Sequence, residues 1–223
     1  MPNQEKVEDL LTFAMEFGFK LDPKNVAKSF NRLMLESEQN EALKVIIPLA
    51  IRTMAKAEYS TENIGHYGLA FEYYSHFTSP IRRYSDVIAH RLLEKNLQQI
   101  YRTDLATLDN QCSHISKQER KAMDCERESI KYKQVEFMEH SVGGTFKARV
   151  SGMSEKGFFA EMTENKCEGM VKFETLPENY ELDATRLRAI SRKSKKIIKI
   201  GDLVTVKVAS ADLKSRRIDL ELV

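Results

Sequence analysis

The chain has 223 residues, 42% of them hydrophobic and 30% charged, which supplies a core for one large domain or two ordinary ones and argues against global disorder. No run of about 18 uncharged apolar residues occurs, and the opening MPNQEKVEDLL lacks the basic, apolar and small-residue order of a signal peptide, so a cytoplasmic chain with no membrane partner is expected. Cys112, Cys125 and Cys167 are scattered and form no CxxC pair, which argues against a disulfide framework and against a zinc site.

The formal net charge of +2 conceals an asymmetry. Residues 1–140 carry 19 Lys/Arg against 21 Asp/Glu, whereas residues 141–223 carry 16 against 12. Between Arg186 and Arg217 there are eleven basic residues and only two acids, Asp202 and Asp212. A polyanion is the partner this balance suggests.

In chain order, Val7, Leu10, Leu11, Ala14 and Phe17 recur at helical spacing, and Gly18 stands where a left-handed C-terminal cap belongs. Asp22-Pro23 reads as an N-cap with proline at the first helical position, opening a helix with Val26, Phe30, Leu33 and Met34 on one face. A third helix is expected from about Glu41 to Glu58, kinked or started by Pro48, and Tyr59 to Ser75 reads as a loop. Thr78-Ser79-Pro80 repeats the start signal before a stripe of Ile81, Tyr84, Ile88 and Leu92. A short helix after Asp104 carries Leu105, Leu108, Cys112 and Ile115, and the capping-box spacing of Ser116 and Glu119 predicts another, running to about Glu139.

From Val142 the apolar period changes from 3.6 to 2. Phe146, Ala148 and Val150 alternate with Thr145, Lys147 and Arg149, and the same alternation recurs at Val204, Val206, Val208 and at Ile218, Leu220, Leu222. About eighty residues with five or six short strands and a basic stretch predict a small closed barrel of the oligonucleotide-binding kind.

The stretch HFTSPIRRYSD, His76 to Asp86, carries the most chemistry. A helix N-terminus attracts anions, and two arginines in its first turn oppose the helix dipole until an anion arrives. On this reading Arg82 and the backbone amides clamp a phosphodiester through paired hydrogen bonds. The alternative is that Arg82 pairs with Asp86 four residues on while Arg83 lies solvated. His66, His76 and His90 lack the spacing of a metal site and suit hydrogen-bonded structural positions.

GHYGLAFEYYSHFTSPIRRYSDVIAHRLL, Gly65 to Leu93, resembles the C-terminal part of the catalytic (RNB) domain of the ribonuclease II and ribonuclease R family of processive 3′-to-5′ exoribonucleases, ribonuclease R being the nearer match. The ERE of Glu126 to Glu128 resembles that family's ERxx element, and the strand-rich end resembles its S1-type RNA-binding domain. The fold class implied is multidomain α + β. Residues 1–140 would be the helical C-terminal portion of the RNB domain and 141–223 a five-stranded S1-type OB-fold barrel.

The resemblance assigns Arg82 to the phosphate near the scissile bond and Glu126 to the active site near the 3′-terminal nucleotides, with Arg83 and Tyr84 in the same RNA-binding motif. For Glu126 the residues alone read as a solvated, charge-dense helix face. On the barrel, Arg149, Lys156, Phe159 and Lys172 fall on the RNA side. Phe158 and Phe159 are adjacent on one strand and cannot share an environment, so Phe158 is expected in the core and Phe159 outside. Lys156 and Lys172 stand where family members often carry an aromatic and a histidine, which shifts the expected binding toward phosphate attraction. The basic run Arg186 to Lys199 is expected to form a phosphate-contacting rim.

The family's magnesium ions are held by clustered aspartates upstream of the matched region, and Asp9, Asp22, Asp86, Asp104, Asp109 and Asp124 match no such cluster. The resemblance therefore implies a C-terminal piece of a longer, monomeric, magnesium-dependent exoribonuclease. That piece would bind single-stranded RNA without metal ligands of its own, be inactive alone, and tend to self-associate through uncovered surface. A stand-alone, non-catalytic RNA-binding protein is the alternative.

Overall fold

The computed structural model of the chain describes residues 4–99, 102–183 and 186–223. Helix α1 (Gln4–Glu16) buries Val7, Leu10, Phe13 and Ala14, and Phe19 follows it into the core after Gly18, whose φ of 74° ends the helix as expected. Helix α2 (Val26–Ser37) starts three residues later than the Asp-Pro signal implies. Asn25 is its N-cap, accepting from the Lys28 N–H, while Asp22 accepts from the Lys24 N–H in the turn before it. Phe30 and Leu33 are buried, but Met34 points to solvent. The third helix, α3 (Ile46–Arg52), ends well short of Glu58. A 3-10 turn, Glu41–Val45, precedes it and places Pro48 in its first turn, where a missing N–H costs nothing.

Helix α4 (Tyr84–Gln98) follows an irregular segment, 53–83, that contains one 3-10 turn, Tyr67–Leu69. The two helices expected after Asp104 are one, α5 (Leu105–Glu139). Asp104 accepts from the N–H groups of Ala106 and Thr107 at its start. Ser116 caps nothing: its hydroxyl donates to the Cys112 carbonyl four residues back and accepts from the Tyr59 N–H. That back-bond satisfies the hydroxyl without breaking the helix.

Strands β1 (Thr145–Ser154), β2 (Gly157–Met162), β3 (Glu168–Lys172), β7 (Leu203–Asp212) and β8 (Arg217–Leu222) close a barrel in the order β1-β2-β3-β8-β7. Every pairing is antiparallel except β3 with β8, the closure that gives a five-stranded OB-fold. Ala148, Val150, Phe158, Ala160, Met162, Val171, Val206, Val208, Ile218 and Leu220 fill it. Gly169 lets Leu220 in, since a Cβ there would lie 2.6 Å from Leu220 Cγ. Between β3 and β7 the chain adds a three-stranded sheet, β4 (Tyr180–Leu182), β5 (Arg188–Ser191) and β6 (Ile197–Lys199).

Packing divides the chain differently from its periodicity. Residues 55–127 form one compact unit, and residues 4–54 join 128–223 in a second. In the second unit α1, α2 and α3 share one hydrophobic core with the barrel and with Val135 and Met138 of α5. Gly201, at φ 96°, brings the turn before β7 against Val45, where a Cβ would meet Val45 Cγ1 at 2.6 Å. Within 55–127 the only buried side chains among the described residues are polar, Asp86 and Ser116, while Tyr73, Ile81 and Leu97 are exposed.

Candidate nucleic-acid interface

The unit 55–127 holds the HFTSPIRRY motif. Its Ser79-to-Arg83 stretch is a turn and not the first turn of a helix: the N–H groups of Arg82 and Arg83 both donate to the Ser79 carbonyl, at 3.3 and 3.1 Å. Arg83, extended at φ −125°, is the residue before α4. The arginines therefore precede the helix, because Asp86 in the first turn draws the preceding segment toward itself. Its buried carboxylate accepts from the Ser79 N–H at 2.7 Å, Arg83 Nη2 at 2.9 Å and the Ser85 hydroxyl at 3.0 Å. Burial raises the pKa of this carboxyl, but the Ser79 amide, the Arg83 guanidinium and the Ser85 hydroxyl together outweigh it and hold the group below the usual range.

The ion pair thus runs from Arg83 to Asp86, three residues on, and corrects the Arg82–Asp86 alternative. Arg83 is half-buried against the fully buried Asp86, and its Nε is a buried donor with no acceptor among the described residues. Arg82 is exposed, with no ion pair or side-chain hydrogen bond among the described residues, and Tyr84 beside it is 55% exposed.

The histidines around this turn are structural. Nδ1 of His66 accepts from the Leu69 N–H, His76 Nδ1 lies 2.8 Å from Tyr59 Oη, and His90 Nε2 lies 2.7 Å from the Phe77 carbonyl, to which it donates. Burial and the neighbouring Arg83 charge push the His76 pKa down, so its ring stays neutral. Glu126 is exposed on α5, in a stretch where Arg127 pairs with Asp124 at 3.8 Å.

In the other unit, the two phenylalanines separate as the strand period demands. Phe158 is completely buried and Phe159 half-buried on the outer face. Register places Phe159 between Gly152 of β1 and Met170 of β3, and Met170 beside Asp219 of β8. Lys156 is exposed in the β1–β2 turn, and Arg149 donates to the Gly201 carbonyl at 2.8 Å. Lys172 is not a bare cation, because Asp219 lies 3.3 Å from its Nζ.

Acidic side chains that no local sequence pattern marks are therefore part of this face. Arg149 pairs in register with Glu161, and Glu161 with Glu168, a row that only strand pairing brings together. The basic run is likewise not a bare rim but the β5–β6 hairpin with its flanks. Arg186 pairs with Glu155, Arg188 with Asp183 and Glu16, and Arg192 with Glu181, so the arginine charge is balanced while Lys193, Lys195 and Lys196 stay exposed.

The carboxylates do not fit a magnesium site. Among the described residues no group of three or more His, Cys, Asp or Glu side chains could hold a metal ion. Asp86 is engaged by three donors, Asp104 caps α5 and Asp109 accepts from the Thr61 hydroxyl at 2.6 Å. Nor is any described helix long and apolar enough to cross a membrane.

The chain thus combines a helical part carrying an exposed arginine on a pinned turn with a five-stranded OB-fold barrel bearing an outward aromatic. Residues 1–99 match the RNB domain model and residues 139–222 the S1 RNA binding domain model. Ribonuclease R of Aquifex aeolicus is 39% identical over the whole chain, which corresponds to 32% of that protein. The apo form of Mycoplasma genitalium RNase R superposes with a TM-score of 0.88 at 27% identity, covering 100% of this chain and 36% of that one. The same enzyme in complex with ribose methylated single-stranded RNA gives 0.86 at 27% identity, with the same coverage. The chain is similar to ribonuclease R along its whole length, with an RNB-type and an S1-type segment, and spans about a third of the length of the curated relatives it matches.

Proposed function

We propose that this chain supplies the RNA-holding part of a processive 3′-to-5′ exoribonuclease that releases nucleoside 5′-monophosphates from single-stranded RNA. The observation that carries the reading is the separation of Arg82 from Arg83: one arginine is committed to Asp86, and the other is left exposed on a turn that this commitment fixes. An exposed guanidinium on a fixed turn suits a phosphodiester, which it binds through paired, charge-assisted hydrogen bonds. Tyr84 lies two residues on, and Glu126 contacts the 3′-terminal nucleotides, a role supported by the resemblance of its ERE to the ERxx element. Residues 1–140 act as the helical portion of the RNB domain and 141–223 as the S1 domain.

On the barrel, Phe159 stacks a base, while Lys156, Arg149 and Lys172 meet phosphates. With Asp219, Glu161 and Glu168 on the same face, stacking contributes more, and charge less, than the lysine positions alone imply. Magnesium-dependent hydrolysis belongs to carboxylates that the described residues do not provide, so this chain alone holds RNA without cleaving it. The working enzyme is cytoplasmic and monomeric; the chain by itself self-associates through exposed side chains such as Ile81 and Tyr73.

The test is incubation of the chain with 3′-extended single-stranded RNA and magnesium. Retention on a filter without mononucleotide release is expected, and robust release would overturn the inactivity. A non-catalytic RNA-binding protein is the second reading, favoured by the dispersed carboxylates. The two separate in a chimera carrying this chain in place of the corresponding third of Aquifex aeolicus ribonuclease R: degradation supports the exoribonuclease, and binding without degradation supports the second reading.

A further inference from the structure

A cleft in the unit built from 4–54 and 128–223 lies between the first helices and the barrel. Its volume is about 480 Å³, within the usual range for sites that take a small organic ligand. Apolar side chains form part of its wall, Leu49 from α3 and Met153 and Phe159 from β1 and β2. Its charged lining includes Arg52, at the last position of α3, and the carboxylate of Glu168.

We infer that this cleft is a subsite for one nucleotide of single-stranded RNA, built jointly by α3 and the barrel, with Phe159 stacking the base and Arg52 holding the adjoining phosphate. The inference rests on the RNA-binding reading above and extends it to a residue that lies outside the barrel.

Three observations converge on it. The β1–β2 register shifts between Val150 and Gly152, so Ser151 is bulged out of the ladder. Bulges concentrate beside functional sites because they re-aim the strand. Here the Ser151 carbonyl accepts from Arg52 Nη1 at 3.4 Å, a long contact that leaves the other guanidinium nitrogens available to an anion. The Ser151 hydroxyl meanwhile donates to Glu168, which keeps that carboxylate oriented within the cleft.

Gly152 supplies the second observation. A Cβ built on it would lie 3.6 Å from Phe159 Cδ2, in ordinary contact with the ring. Any larger side chain would start from that position and cover part of the aromatic surface, so glycine keeps the ring open to a base. The third is composition: an aromatic ring beside a guanidinium is how single-stranded nucleic acid is held without sequence readout.

The experiment measures binding of a fluorescein-labelled single-stranded RNA 12-mer to the full chain by anisotropy across a salt series, with thermal unfolding followed in parallel. Arg52→Ala is expected to weaken binding roughly 10-fold and to reduce the magnitude of the log K against log salt slope by about 0.7, the loss of one phosphate contact on a single strand. Arg52→Lys should restore the slope. Gly152→Leu should weaken binding to a similar degree while leaving that slope unchanged.

A purely structural Arg52 would lower the unfolding midpoint and leave the salt slope intact, which would overturn the inference. So would unchanged affinity in both Arg52→Ala and Gly152→Leu while Phe159→Ala still weakens binding; the barrel-face reading would then survive alone. If Phe159→Ala also binds RNA as tightly as the parent chain, the barrel-face reading falls with it.

Discussion

Arg83 donates through Nη2 to a buried Asp86 oxygen at 2.9 Å, and the same oxygen accepts from the Ser79 N–H at 2.7 Å. One carboxylate thereby ties the beginning of the turn to its end, and Arg82 lies between the two tied points. Asp86→Asn keeps the size of the side chain but halves its accepting capacity and removes the charge facing Arg83. In the Aquifex chimera, Asp86→Asn is expected to lower kcat about 10-fold, and Arg82→Ala about 100-fold with little change in KM, the pattern of a contact realised in the transition state. Equal losses in kcat and RNA affinity for Arg82→Ala would count against that role.

Acid should destabilise the unit 55–127 in two stages. His76 has a lowered pKa, so the folded state resists its protonation, and stability falls as pH drops below the unfolded value of about 6.5. Asp86 also has a lowered pKa. Its contribution is complete above the unfolded value of about 3.9 and is lost as pH falls through the folded one. Thermal midpoints recorded from pH 7 to pH 2 should show both declines, with Asp86→Asn shrinking the more acidic one to the part that Asp104, also held below the usual range by its N-cap hydrogen bonds, contributes.

The neighbouring phenylalanines should give opposite phenotypes. Phe158→Ala empties the barrel core and is expected to cost about 3–5 kcal/mol of stability. Phe159→Ala should leave the unfolding midpoint nearly unchanged and weaken RNA binding by roughly 1–3 kcal/mol. Chemical denaturation and anisotropy on the two variants separate the effects, and a large stability loss in Phe159→Ala would contradict an outward-facing ring.

Lys172 is held by Asp219 in a partly exposed pair, worth no more than about 1 kcal/mol to stability. Asp219→Asn releases the ammonium toward RNA. Filter binding across a salt series is expected to show tighter binding and a slope steeper by about 0.7. An unchanged slope would show that Lys172 meets no phosphate.

Periodicity was enough to separate a helical segment from a strand-rich one, because side chains that alternate along β1, β7 and β8 or recur along α1 report directly which face is buried. It also separated Phe158 from Phe159, since adjacent residues on a strand face opposite ways. The TSPIRRY motif was legible for the same local reason: its residues are contiguous.

Tertiary structure decided what depends on partners distant in sequence. Ser116 reads as a helix cap until Tyr59 and Cys112 engage its hydroxyl and α5 runs through. Arg188 reads as free charge until folding brings Glu16 to it from 172 positions away. Lys172 meets Asp219 only because β3 closes on β8 in parallel register. Charge and period are properties of the chain, whereas neutralisation requires two side chains to meet, and the meeting is set by packing.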